Sequence, residues 1–281
     1  MTAPYFSPVQ RLPLSVAQIN ALYQLATVAG AEILTIYRDE RLWQTTAKAD
    51  QSPVTAADIR SSDILVAGLA HILDCPVVSE EALPDYQERK DWPLYWLIDP
   101  IDGTREFLDR SDEFVINIAL MWHQQPVFGL LYKPTTGKAW WGGEGLGAYS
   151  GTPAGSRPLP MARVANRLIA LGSRRSTWMG AWRDQLTDAG YSVHTESLGS
   201  ALKFARLAEG DADLYPRLGL TCEWDTAAPQ AILAQTGGAI VQWDGQPLVY
   251  GKEDILNPHF IAVRDKSLLS VLIFNGAKAP S

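Results

Sequence analysis

Cysteine is nearly absent from this 281-residue sequence: Cys75 and Cys222 stand alone and far apart. Neither has the spacing of a metal or redox motif, and both suit a reducing cytoplasm as thiols packed like small hydrophobes. Histidine is sparse as well. His71, His123, His194 and His259 are scattered singly, which argues against a zinc site or a nucleophile–base pair. No basic run exceeds the Arg174-Arg175 pair and the net charge is −7, so no nucleic-acid partner is expected and the pair reads as solvated surface. No segment is expected to approach the length of a membrane span, and no amphipathic anchor stands out. The start M-T-A-P-Y-F-S-P-V-Q lacks the basic and apolar regions of a cleaved signal. Repeats and low-complexity tracts are missing too. What remains is a globular, cytoplasmic chain with no inferred obligate protein partner, whose 47% apolar content can fill one large domain or two packed halves.

The most informative stretch is Tyr95 to Phe107, Y-W-L-I-D-P-I-D-G-T-R-E-F. Tyr95 to Ile98 has the aromatic and β-branched character of a buried strand, which Pro100 is expected to stop just after Asp99. Gly103 permits a tight turn beside Asp102, and Thr104 adds a hydroxyl. Carboxylates this crowded repel unless a cation lies between them, and hard oxygen ligands without His or Cys favour Mg²⁺ or Mn²⁺ over Zn²⁺. A plain Asx-rich turn is the competing reading of the same residues. An EF-hand loop fits poorly, because counting from Asp99 puts Ile101 third, Gly103 fifth and Arg110 twelfth.

Around this stretch the pattern predicts a helix from Ser15 to about Tyr37, opened by a Ser15–Gln18 capping box, and a second opened by V-T-A-A-D. Asp58 is there either a cap residue for Thr55 or a catalytic acid. A short run P-V-V-S ends in Glu80 and Glu81, which by themselves read as solvated charges. Phe114–Trp122, Val127–Tyr132 and Lys138–Gly142 suggest an antiparallel meander. The Gly-, Pro- and Ser-rich stretch Gly151–Pro160 is the expected junction between an α+β half, residues 1–150, and an α/β half, residues 151–281. Beyond it the pattern alternates strand and helix, with A-D-L-Y-P as a strand closed by proline. Ser200 is expected to cap a helix in which Lys203 opposes the dipole, a conflict that an anion docked on the helix start would relieve. A surface lysine swinging into solvent is the alternative. Asp225 is expected to cap the next helix, with Pro229 in its first turn and Gly237-Gly238 at its end.

Taken jointly, E-E, D-P-I-D-G-T and W-D-T-A-A followed by G-G resemble the inositol monophosphatase superfamily of metal-dependent, lithium-sensitive phosphatases. Within it, V-T-A-A-D, S-E-E, D-G-T-R-E-F, G-S-A-L-K-F, L-Y-P-R and L-N-P are similar to bacterial 3'(2'),5'-bisphosphate nucleotidases of the CysQ type. The resemblance implies one continuous superfamily domain, an α/β layered α-β-α-β-α sandwich. It implies one Mg²⁺ on Glu80, Asp99 and the Ile101 carbonyl and a second on Asp99, Asp102 and Asp225, with Mn²⁺ able to substitute and a third ion near Glu80 by analogy. Glu80, Asp58 and Thr104 would be catalytic, the Thr104 hydroxyl leaning on Asp58 to orient a metal-activated water. Gly103 and Thr104 amides would meet the phosphate. Ser200, Lys203 and Arg217 resemble positions around the second phosphate and the nucleoside. The implied reaction converts adenosine 3',5'-bisphosphate to AMP and phosphate, a clearance step in sulfate assimilation. Relatives also associate with the cytoplasmic face of the inner membrane. A sibling inositol or fructose 1,6-bisphosphate phosphatase, and a non-catalytic binding protein, are the alternatives.

Overall fold

The computed structural model describes residues 14–47, 53–152, 154–160, 166–173 and 181–272; the Arg174-Arg175 pair and the first ten residues lie outside them. Helix α1 (Val16–Arg38) starts at the expected capping box, with Ser15 and Gln18 satisfying each other's backbone amides. It is long and apolar enough to cross a bilayer by length and composition, contrary to expectation. Its Leu22, Ala26, Ala29, Ile33 and Ile36 face is nevertheless fully buried in the protein core. A short antiparallel pair of β1 (Thr46–Ala47) and β2 (Pro53–Val54) precedes α2 (Ala56–Ile72), which packs along α1.

Both helices cover one face of a seven-stranded sheet whose strands lie in chain order. These are β3 (Val77–Ser79), β4 (Leu94–Asp102), β5 (Val115–Trp122), β6 (Gln125–Lys133), β7 (Lys138–Gly143), β8 (Gly147–Gly151) and β9 (Arg157–Pro158). Only β3 and β4 pair in parallel; the rest form the expected meander. Two short helices, α3 (Tyr86–Arg89) and α4 (Thr104–Leu108), flank β4. Arg157 and Pro158, within the Gly151–Pro160 stretch, pair with Ser150 and Tyr149 at this sheet's edge.

The remaining chain is β10 (Arg167–Gly172), α5 (Ala181–Asp188), β11 (Ser192–Ser197), α6 (Leu202–Glu209), β12 (Leu214–Arg217), α7 (Glu223–Ala234), β13 (Ala239–Gln242), β14 (Phe260–Val263) and α8 (Leu269–Leu272). Its sheet runs β11-β10-β12-β14-β13, parallel about β10 and antiparallel about β14. Helices α6 and α7 fill the space between the sheets, where Phe204, Trp224 and Ile232 meet Leu97, Ala119 and Tyr215 in one apolar cluster. Trp182, Leu186, Leu268 and Leu272 cover the outer face of the second sheet. The order of layers is therefore α-β-α-β-α, as expected.

Two prolines behave differently from the sequence expectation. Strand β4 continues through Pro100 to Asp102, because the ladder slips between Asp99↔Asn117 and Asp102↔Val115. One extra residue is accommodated there, and a bulge has no use for the amide that proline lacks. Pro216 likewise lies inside β12, opposite Ile261.

Candidate active site

The bulge in β4 brings Asp99 and Asp102 to the same end of the sheet. Asp99 is 2% exposed, and its Oδ1 accepts from the Ile101 amide at 3.0 Å, so the turn-forming reading of this residue holds alongside any ligand role. Gly103, with φ 106°, makes the reversal into α4. A Cβ there would lie 3.0 Å from the Glu113 carbonyl and 3.2 Å from Ser200 Cβ, so the loop also needs glycine for packing.

Asp225 arrives from the other sheet's side. It does not cap α7: Cys222 is the N-cap, and Asp225, third in the helix, accepts from the Cys222 amide at 2.7 Å. Asp is favourable at either position, which is why the sequence misplaced the boundary. Pro229 consequently falls inside the helix rather than in its first turn, leaving the Asp225 carbonyl without its usual i+4 partner.

Carboxylate oxygens of Asp99, Asp102 and Asp225 all lie within 4.8 Å of one another. Burial and repulsion from neighbouring carboxylates push Asp99 well above the usual carboxylate range and Asp225 up to about 8, while burial, opposed by Lys203 and aided by Glu106, lifts Asp102 to about 6. Glu80 stands outside that trio, at the end of β3 with its amide on the Ile98 carbonyl at 3.2 Å, yet its charge adds to the upward push on Asp99, Asp225 and Asp58. An all-oxygen donor set carrying this much repulsion fits hard divalent cations, whose charge would reverse the sign of the local field.

Thr104 and Asp58 meet beside the trio. Thr104 Oγ1 donates to Asp58 Oδ1 at 2.9 Å, while Asp58 Oδ2 takes the Thr55 amide and hydroxyl, both at 2.7 Å. Asp58 thus closes the capping box with one oxygen and receives the Thr104 hydroxyl on the other. Burial keeps its pKa raised despite these donors. The Ile101 carbonyl accepts a longer contact from Thr104 Oγ1, at 3.4 Å.

The start of α6 corrects two further expectations. Ser200 is not its N-cap; Ala201 is, and Ser200 sits before it in the left-handed region with φ 49°. The anion on this helix start is Asp102, whose Oδ2 takes the Ala201 amide at 2.5 Å. Lys203 does not swing into solvent. It is 3% exposed, its ammonium donating to the Ser200 carbonyl at 2.7 Å and the Leu198 carbonyl at 3.1 Å, and lying 4.9 Å from the centre of the Tyr215 ring. Desolvation lowers its pKa to about 8, against the pull of Asp102. Arg217, at the end of β12, turns back onto the Gly219 and Leu220 carbonyls at 3.2 and 2.8 Å. Asn117 was not anticipated: fully buried in β5, it donates to Asp102 Oδ2 and to the Trp224 carbonyl, each at 3.4 Å, and so links two of the carboxylate-bearing elements. Its signal was available as the one polar side chain in the run V-I-N-I-A-L-M-W.

Comparison with known proteins gives the family. The model of the inositol monophosphatase family matches residues 16–273. Proteins named 3'(2'),5'-bisphosphate nucleotidase CysQ from Shigella flexneri and Escherichia coli (strain K12) are each 40% identical over 244 residues, covering 86% of this chain and 98% of theirs. The crystal structure of CysQ from Bacteroides thetaiotaomicron superposes with a TM-score of 0.76 at 35% identity, covering 91% of this chain and 100% of that one.

Proposed function

Because this chain belongs to the inositol monophosphatase family, we propose that it is a phosphatase hydrolysing the 3'-phosphate of adenosine 3',5'-bisphosphate to give AMP and phosphate. The observation that carries the chemistry is the trio Asp99, Asp102 and Asp225, set beside the Thr104–Asp58 pair. The substrate is suggested by relatives at 40% identity that are named bisphosphate nucleotidases.

Two Mg²⁺ would be held by Glu80, Asp99 and the Ile101 carbonyl, and by Asp99, Asp102 and Asp225. Ions bound there supply Lewis acidity to the phosphoryl group and neutralise charge on attacking and leaving oxygens. The protein's own groups do the rest. Thr104's hydroxyl proton is committed to Asp58, so the Thr104 oxygen offers its lone pairs to a proton of the attacking water and fixes its direction. Asp58, raised by burial, is a better proton acceptor than an ordinary carboxylate. The water oxygen bonds to phosphorus as its proton passes through Thr104 Oγ1 to Asp58, the bond from phosphorus to O3' breaks, and the departing oxygen takes a proton from a solvent water, whose hydroxide the proton held on Asp58 then neutralises. Gly103 and Thr104 amides support the phosphoryl oxygens, while the cations of Lys203 and Arg217 favour the second phosphate of a doubly phosphorylated substrate.

The test is phosphate release by purified protein with Mg²⁺ from adenosine 3',5'-bisphosphate, inositol 1-phosphate and fructose 1,6-bisphosphate, with and without lithium. Preference for the nucleotide and inhibition by lithium are expected. Preference for either of the other esters overturns the substrate assignment, and dependence on no divalent cation overturns the roles of the three aspartates.

A further inference from the structure

Ser200 holds a left-handed backbone conformation that a residue with a Cβ adopts at some cost, with φ at 49°. Its surroundings show what keeps it there. The amide before it, Gly199 N, donates to Glu113 Oε2 at 2.7 Å, and the amide after it, Ala201 N, donates to Asp102 Oδ2 at 2.5 Å. The Ser200 carbonyl receives the Lys203 ammonium at 2.7 Å. Three charged side chains from three elements thus bracket one strained residue.

Asp102 and Lys203 already have roles in the proposed chemistry; Glu113 has none. It comes just before β5, and its neighbour Phe114 is fully buried with its ring 5.4 Å from that of Phe107 and 5.1 Å from that of Tyr37. That anchoring fixes the Glu113 backbone, whose carbonyl lies against Gly103, 3.0 Å from where a Cβ would stand. Its carboxylate packs under Gly199, where an added Cβ would meet Glu106 Cγ at 2.5 Å and Glu113 Oε2 at 3.0 Å. One residue therefore touches both the metal-side turn at Gly103 and the turn that presents Ser200.

We propose that Glu113 is a positioning residue for substrate selection, pinning the Gly199–Ala201 turn onto the Asp102–Gly103 loop so that Ser200, its carbonyl held by the Lys203 ammonium, faces the second phosphate or nucleoside. This rests on the reading of the protein as a bisphosphate nucleotide phosphatase. It acts through Ser200 and not on the reacting phosphorus, so its loss should appear in nucleotide affinity rather than in turnover.

The experiment compares the wild type with Glu113→Ala, Glu113→Gln and Glu113→Asp on adenosine 3',5'-bisphosphate and on p-nitrophenyl phosphate, a monoester with no second phosphate. Glu113→Ala is expected to raise KM for the nucleotide about tenfold with kcat within about threefold, and to leave the monoester within about twofold on both. Glu113→Gln, which keeps an oxygen acceptor for the Gly199 amide, should restore nucleotide KM to within about threefold of wild type. Should the alanine variant not fold, the contrast passes to aspartate, whose shortened carboxylate is expected to behave as alanine would while glutamine stays near wild type. Equal effects on both substrates, or no effect on either, overturn the inference while wild-type preference for the nucleotide keeps the functional reading. A wild-type enzyme without that preference overturns both.

Discussion

Thr104 and Asp58 lie 46 residues apart in sequence, yet the threonine hydroxyl donates to the aspartate at 2.9 Å. The same carboxylate closes the capping box of α2, so one side chain fixes a helix start and holds the hydroxyl proposed to orient the attacking water. Substitutions can separate the two duties. Thr104→Val keeps the side-chain shape and removes only the hydroxyl; it should lower kcat by about 10²–10³ with little change in thermal stability. Thr104→Ser should retain most activity. Asp58→Ala should lose both activity and roughly 0.5–2 kcal/mol of stability through the lost cap. Steady-state kinetics with thermal melts of the three variants checks this, and full activity in Thr104→Val would remove the hydroxyl from the mechanism.

Much of this site was legible in the sequence because the elements that carry it have strong local signals. The aromatic and aliphatic run before Asp99, the Thr55–Asp58 box and the Gly103 turn each announce themselves within a few residues. The layered sandwich followed from family resemblance, and the alternation of elements merely permitted it. What escaped depends on partners distant in the chain. The amide that binds Asp102 belongs to Ala201, 99 residues away, so the sequence offers Ser200 as a helix cap and gives no sign that a carboxylate of the chain itself sits at that helix start. Pro100 looks like a strand terminator in the sequence because a bulge, set by the partner strand β5, leaves no trace in local composition. Asp225 was placed at the cap because Asp is favourable at both positions and only the Cys222 amide decides between them.

The carboxylate trio gives metal binding a pH dependence of definite sign. Asp225, raised from 3.8 to about 8, and Asp102, raised to about 6, are protonated in both folded and unfolded chains below 3.8. Between that pH and the folded value, the metal-free native state holds protons that the unfolded chain has released, so its stability falls as pH rises and the loss is complete above about 8. Divalent ions compete with those protons. The rise in melting temperature on adding saturating Mg²⁺ to chelator-treated protein should therefore be larger at pH 8.5 than at pH 5.5. A Mg²⁺ shift that stays constant or shrinks with pH would mean that the trio is not the binding site.

Asp99 stands at the centre of that repulsion, with Glu80, Asp102 and Asp225 all raising its pKa. Asp99→Asn removes one charge and keeps an oxygen for the Ile101 amide. The variant should melt at or above the temperature of the metal-free wild type, lose the Mg²⁺-induced shift, and lose at least about a thousandfold in activity, the scale of several kcal/mol of charge stabilisation. Retention of full activity would rule out its role as a ligand shared by two ions.

The depth at which α7 sits decides where Asp225 ends up, and a glycine in β6 sets that depth. A Cβ on Gly129 would stand 2.1 Å from the Ala228 carbonyl oxygen and 2.7 Å from its Cα, contacts that only a shift of backbone can relieve. The helix has little room to retreat, since Ala227, Ala228 and Leu233 are fully buried and Ile232 nearly so. Gly129→Ala should therefore cost about 1–3 kcal/mol, lowering the melting temperature by roughly 2–10 °C for a chain of this size. Because the displaced helix carries Asp225 away from Asp99 and Asp102, the Mg²⁺ concentration for half-maximal activity should rise as well. Gly155→Ala, whose added Cβ comes no nearer than 3.8 Å to Thr152 Oγ1, should change neither quantity. A destabilised Gly129→Ala with unaltered Mg²⁺ dependence would show that the helix yields elsewhere and that Asp225 is held in place by the Cys222 turn alone.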